Sequence, residues 1–225
     1  MQDAPADVVD AVFAIECRSL PVDHAYALSQ AIQAALPWFA DEPQAGLHTV
    51  HGAASGAGWK RPEGEDARLQ LSRRTKLVLR LPGHRMADAA ALIGRTLDVA
   101  GSPMRVGPLS PRPLLRIASL FSRSVIFEGS MDETGFLAAA AEGLRALGVE
   151  TSTMLCGRDV ALAMPQGSYR TRSLMVTVAT PAQSLALQRH GLGDARKLGC
   201  GLFIPHKDVG DLRGEARARQ DWGAD

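Results

Sequence analysis

Val8 to Cys17, "VVDAVFAIEC", alternates polar and apolar positions and is rich in β-branched residues, so it predicts a first strand. Pro21 and Asp23 announce a helix, with Asp23 as its N-cap. Ala27, Leu28, Ala31, Ile32, Ala35 and Leu36 share one helical face, which carries that helix to about Leu36. "LHTVHG" predicts a short second strand, and "GAASGAGWKRPEGED" a glycine-rich loop. In "RLQLSRRTKLVLRLP", Lys76, Val78 and Arg80 alternate with Leu77, Leu79 and Leu81, the pattern of a strand with one basic face. "HRMADAAALIG" reads as a second helix and "TLDVAGSPMRVGPL" as a closing strand or hairpin.

Pro108, Pro111 and Pro113 read as a linker, after which the order starts again. "LLRIASLFSRSVIFEG" predicts a strand, and "DETGFLAAAAEGLRALG" a helix opened by Asp132 and closed by Gly148. "VETSTMLCGRDVALAM" and "RSLMVTVATP" predict two strands, "PAQSLALQRHG" a short helix and "GLFIPH" a last strand. Each half is strand, helix, two strands, helix, strand. That is the α+β ferredoxin-like unit, βαββαβ, written twice. The expected division is 1–109, 110–209 and a polar, flexible tail over 210–225.

Composition narrows the setting. Of 225 residues, 46% are hydrophobic and 22% charged, as in ordinary globular proteins. No stretch approaches a membrane span, and "MQDAPADVVD" holds three acids and no basic leader. Cys17, Cys156 and Cys200 lie far apart, which fits reduced thiols and a cytoplasmic setting and gives no metal-binding spacing. The net charge of +1 conceals an asymmetry: residues 67–127 hold eleven Lys or Arg against two acids, Asp88 and Asp98. Charge gathered in this way presents itself to a polyanion, the alternative being a solvated face balanced by acids elsewhere.

"GLGDARKLGCG", residues 191–201, sets four glycines around two cations. A dinucleotide fingerprint needs glycine where Arg196 stands, and a helix behind it. A phosphate-binding loop of the Gly-Lys-Ser/Thr type fails because Leu198 follows Lys197. The remaining pattern, Gly-Leu-Gly, five residues, Gly-Cys-Gly, placed before the last strand of a duplicated ferredoxin-like chain, resembles the glycine-rich loop of the CRISPR repeat-processing endoribonucleases. Those enzymes belong to the RAMP superfamily, with RRM-like domains. "LPVDHAYALSQAIQAALPW", "LSRRTKLVLRLP" and "GLGDARKLGCGLFIPHK" together are most similar to its Myxan-type branch, and the resemblance reaches to about Asp208.

The resemblance implies cleavage of CRISPR precursor RNA within its repeats, without metal or other cofactor, by attack of a 2′-hydroxyl on the adjacent phosphate. The products are a 2′,3′-cyclic phosphate and a 5′-hydroxyl. It further implies CRISPR repeat RNA (a hairpin) and mature guide RNA as partners, with other subunits of a type I surveillance complex, and no membrane. His48, in "GLHTVHG", resembles the leucine-histidine step that carries the family's general acid/base; the plain alternative is a half-buried strand histidine. His24, beside the expected N-cap, is the second catalytic candidate, because a helix N-terminus disfavours imidazolium and attracts phosphate. Its alternative is packing beside Tyr26. Several family members carry a tyrosine late in the first helix, where this chain has Gln33.

For RNA binding the candidates are the basic run Arg73, Arg74, Lys76 and Arg80, joined by Arg196 and Lys197 with Gly191, Gly193, Gly199 and Gly201. Lys60, in the first glycine-rich loop, is a further phosphate cation to consider. Only eleven aromatic residues are present, which favours grip on phosphates and shape over base stacking. Two other classes stay open: a non-catalytic guide-RNA-binding subunit of a surveillance complex, and a small-molecule enzyme or regulator on the same scaffold.

Overall fold

Leu77, Leu79 and Leu81 turn to one side of their strand and pack under the first helix; that side is the core of the first half. In a computed structural model, residues 8–51, 62, 64, 67–129 and 132–206 are described. The tail over 210–225 and Lys60 lie outside them. The chain forms two units. One holds the residues up to Pro113 with Leu162–Ser168 and Lys197–Gly199; the other holds Leu114–Ala161, Tyr169–Arg196 and the residues from Cys200.

The first unit begins with β1 (Val8–Glu16) and β2 (Ser19–Pro21), then α1 (Ala25–Ala35) and the single turn α2 (Trp38–Asp41). There follow β3 (Gly46–His48), β4 (Arg68–Gln70) and β5 (Lys76–Pro82), the one-turn helix α3 (Met86–Ala89), and the hairpin β6 (Thr96–Val99) with β7 (Ser102–Pro113). The main sheet has the order β3-β5-β1-β7-β6, and β2 pairs with β4 apart from it. Without β6 this is the ferredoxin-like order, the first strand lying between the third and the last. Phe13, Ile15, Leu28, Ile32 and Leu47 join the leucines of β5 in the core.

Three expectations change here. The N-cap of α1 is His24, not Asp23, and the His24 side chain makes no capping hydrogen bond. The second helix shrinks to α3 between two short 3-10 turns. The proline triplet is no linker: it lies inside β7, which pairs with β1 up to Val9 opposite Pro113. β6 covers β7 only from Ser102 to Arg105, so among the described residues the stretch with the prolines is paired by β1 alone, and on its other side a missing N–H costs no ladder bond. The units therefore part after Pro113 rather than after 109.

The second unit runs β8 (Ser119–Val125), α4 (Glu133–Ala146), β9 (Thr151–Met164), β10 (Gly167–Val178), α5 (Pro181–His190) and β11 (Ile204–Pro205). Its sheet order is β11-β8-β10-β9, again ferredoxin-like. Of its helices, α4 starts as the sequence predicts, with Asp132 accepting from Gly135 N at 2.8 Å; at α5, Thr180 accepts from Gln183 N at 3.2 Å ahead of Pro181. Leu120, Phe136, Ala140, Leu174, Leu187 and Phe203 fill its core.

Candidate active site

Pairing places Arg80 opposite both Asp10 and Gly46, and Asp10 opposite Arg112. Directly opposed residues share a face. One row across four strands thus reads Gly46, Arg80, Asp10, Arg112, on the face away from the leucine core. His48, two residues beyond Gly46, lies on that same face. The fold makes a polar row here because β1 and β5 both alternate, and their off-core positions at this level are Asp10 and Arg80.

The row is a bonded network. Arg80 donates to Asp10 through Nε at 2.9 Å and Nη2 at 3.3 Å, and both residues are buried. Arg112 Nη2 donates to the same carboxylate at 3.2 Å, with its side chain more than half exposed. His48 Nε2 lies 3.5 Å from Asp10 Oδ1, beyond ordinary hydrogen-bond length, and is shielded from solvent. The His48 side chain as a whole keeps 18% exposure.

Electrostatics follow from these contacts. Burial pushes the Asp10 pKa up, but His48 and Arg80 outweigh it and hold the carboxyl well below the usual range. Burial lowers the His48 pKa, Arg80 and Arg112 lower it further, and Asp10 opposes them; the net shift is downward from 6.5. His48 is therefore a neutral imidazole at neutral pH, with a carboxylate behind one nitrogen and an exposed arginine beside it.

His24 is placed differently. It is buried, its Nδ1 lies 2.9 Å from Pro21 O, and its Nε2 accepts from Val50 N at 3.0 Å. Donating from Nδ1 and accepting at Nε2 fixes a neutral tautomer whose two ring nitrogens are both engaged. His24 staples the residues after His48 to the start of α1. Both ring nitrogens of His24, the second catalytic candidate, are thus engaged within the chain.

Within the same unit, Lys197 Nζ donates to the carbonyls of Glu42 and of Ala45, the latter at 2.9 Å, and lies 5.0 Å from the centre of the Phe39 ring. Gly199 has φ +87°, and a Cβ there would meet Thr49 Cγ2 at 2.7 Å and Leu47 O at 3.0 Å. Lys197 and Gly199 thus hold the backbone on both sides of His48. The glycine is required for the close approach.

In the second unit Arg196 donates to the carbonyls of Arg189 and His190, satisfying the C-terminal end of α5. Gly191, Gly193 and Gly201 all have positive φ, and a Cβ at each would run into backbone oxygen, of Gly201, Ile126 and Leu192 respectively. These glycines are dictated by the loop's own closure.

Of the basic run, Arg73, Arg74 and Lys76 are exposed. Arg80 is a correction to the sequence reading: it is fully buried on Asp10 and unavailable to a phosphate at the surface. Asp10 and Arg112 were not singled out by sequence reasoning; only the register across β1, β5 and β7 brings them to His48. Among the described residues no group of three His, Cys, Asp or Glu converges as a metal site, and no helix is long and apolar enough to cross a membrane.

Residues 9–208 match the family described as Cas6 Crispr. A CRISPR-associated endonuclease Cas6 from Myxococcus xanthus (strain DK1622) is 32% identical over 197 residues, covering 88% of this chain and 81% of that protein. Among solved structures, a CRISPR associated protein Cas6 matches with TM-score 0.58 at 11% identity, over 89% of this chain and 99% of the other. Thermus thermophilus Cse3, bound to an RNA representing a pre-cleavage complex, matches with TM-score 0.53 at 15% identity, over 89% and 100%. At such identities the structural matches establish a shared fold, the tandem ferredoxin-like arrangement.

Proposed function

The chain belongs to the Cas6 family, and from that premise we propose that it is an endoribonuclease that cuts CRISPR repeat RNA, with His48 as general base. The observation that carries this assignment is a neutral, partly exposed His48 set 3.5 Å from the buried Asp10 carboxylate, to which the exposed Arg112 also donates. Nε2 faces Asp10, which favours the tautomer with hydrogen on Nε2 and leaves the Nδ1 lone pair for substrate.

In the proposed step Nδ1 takes the proton of a ribose 2′-hydroxyl. The 2′-oxygen forms its bond to the adjacent phosphorus as the bond to the 5′-oxygen breaks. Water delivers a proton to the leaving 5′-oxygen, giving a 2′,3′-cyclic phosphate and a free 5′-hydroxyl. Asp10 stabilises the imidazolium formed, and Arg112 neutralises charge building on the phosphoryl oxygens. Arg80 keeps Asp10 ionised and in place. Arg73, Arg74 and Lys76 contact RNA phosphates, an affinity that weakens with salt.

The test is cleavage of repeat RNA by wild type and His48→Ala in chelator, with the product ends identified. Loss of about 10²- to 10⁴-fold in rate with unchanged RNA affinity is expected. Undiminished cleavage by His48→Ala removes the base assignment. Binding without cleavage by wild type favours the non-catalytic reading.

A further inference from the structure

Where β1 leaves the main sheet and turns into β2, the first unit carries a half-open cavity of about 920 Å³ that takes no part in the His48 site. Arg18, Arg68 and Arg73 line it, together with Ser19, Ser72 and Ser102. Glu16 is the one acidic residue among the described lining residues, and Asp98 Oδ1 accepts from the lining Gly101 N at 2.8 Å. We propose that this cavity binds one or two unpaired nucleotides of the repeat RNA outside its hairpin, through phosphate contacts to the arginines and hydroxyl contacts to the ribose. The inference rests on the functional reading above and adds a second, non-reacting subsite to it.

Three features argue for this occupant. Arg68 is pinned in advance: Nε donates to Ser19 Oγ at 3.0 Å, and Nη2 to Ser102 Oγ at 2.5 Å and Ser19 O at 3.3 Å. A guanidinium held in this way loses little freedom when an anion arrives. Each serine oxygen that accepts from Arg68 keeps its own O–H to donate, which suits a ribose hydroxyl or phosphate oxygen. Arg18 and Arg73 are exposed arms at the cavity wall, so among the described lining residues three arginines stand against Glu16, a cationic balance that favours an anion.

Size and composition then select the form of RNA. The volume falls in the range of sites for small organic ligands, about 300–1,000 Å³, which admits one or two nucleotides and not a duplex. Among the described residues no aromatic side chain lines it, which favours recognition of backbone and sugar over base stacking. The cavity starts at Ile15, five residues along β1 from Asp10, or roughly 17 Å at ~3.4 Å per residue. Nucleotides held there are separated from the reacting linkage by several others.

The experiment measures equilibrium binding by fluorescence anisotropy, in the His48→Ala background, over a range of salt. Two RNAs are compared: the whole repeat, and its hairpin trimmed of unpaired flanks. Wild-type cleavage of the whole repeat is followed in parallel. Arg18→Gln with Arg73→Gln, both at exposed positions, is expected to weaken binding of the whole repeat about tenfold and to flatten the salt slope by about 1.4. Trimming is expected to weaken the parent protein in the same way and to add nothing further in the double variant. Serine-to-alanine replacement at Ser72 supplies a second reading, with loss on the whole repeat only.

If the double variant binds the whole repeat as the parent does, or if trimming costs it as much as the parent, the cavity is not this subsite, whatever the cleavage result. If wild type neither binds nor cuts repeat RNA, the functional reading falls and this inference falls with it.

Discussion

His48 Nε2 stands 3.5 Å from Asp10 Oδ1, although the two residues sit on strands separated in the sheet by β5. The carboxylate is reached because Gly46 and His48 share the off-core face with Arg80 and Asp10. This relationship fixes the sign of the pH dependence. Burial, then Arg80 and Arg112, hold the His48 pKa below 6.5, and only Asp10 opposes them. A base with a lowered pKa is active above that pKa. Single-turnover cleavage between about pH 5 and pH 8 is therefore expected to rise along an acidic limb centred below 6.5, then level. A wild-type limb centred above 6.5 contradicts the assignment.

Arg112 separates charge from structure, because it is the exposed member of the network. Arg112→Gln removes one influence that lowers the His48 pKa, so the acidic limb moves up toward 6.5. It also removes a cation from the phosphate, for which a plateau rate lower by about 10²-fold is expected. A merely structural arginine would lower stability without moving the limb. Rate–pH profiles and thermal melts of the same preparations distinguish the two.

The Asp10–Arg80 pair makes a prediction on stability. Breaking a buried ion pair by removing one partner strands the other, so Arg80→Met is expected to cost about 3–5 kcal/mol. The double variant Asp10→Leu/Arg80→Met strands neither and is expected to recover most of that loss, as read from urea midpoints. Asp10 has a folded pKa below its unfolded value near 3.9. Its contribution is therefore complete above that value and is lost as pH falls toward the folded pKa. Stability of the wild type drops below about pH 4 in a way the double variant does not share.

The local pattern was a sound guide to the core-facing positions, although it misplaced the N-cap of α1 and overextended the second helix. The leucines of β5, the apolar face of α1 and the cap Asp132 all appear as the sequence predicts. The same alternation that set Arg80 apart from the leucines says nothing about whether its own face is covered. Asp10, the partner that explains its burial, lies 70 residues away. Asp10 itself reads as an ordinary polar position in a strand. The prolines of β7 carry a strong turn signal, and only pairing shows that they lie within a strand. The glycine loop was legible as tight backbone; that Lys197 serves the segment before His48 is visible only in three dimensions.

His24 and His48 are expected to fail in different ways. His24→Ala leaves Val50 N and Pro21 O without their partners, at a cost of about 1–3 kcal/mol for each group left buried. The melting temperature falls, while cleavage measured well below it retains the acidic limb of the wild type. His48→Ala leaves the melt nearly unchanged and removes the cleavage. A His24→Ala protein that is fully stable yet inactive would reverse these roles.

Lys197 provides the sharpest test of what the glycine loop does. If it binds phosphate, Lys197→Met must weaken RNA affinity and reduce the salt slope by about 0.7–0.9. The geometry favours another outcome: Nζ is spent on the carbonyls of Glu42 and Ala45 and lies against Phe39, just ahead of the strand that carries His48. Lys197→Met retains the apolar stem and loses the donors, so the expected result is a cleavage rate lower by about tenfold with affinity and salt slope unchanged. Gly199→Ala should act in the same sense, since its φ of +87° disfavours a side chain and the new Cβ meets Thr49 and Leu47. Because both substitutions move the backbone flanking His48 and neither removes a phosphate contact, they should depress turnover together while equilibrium binding stays at the wild-type value.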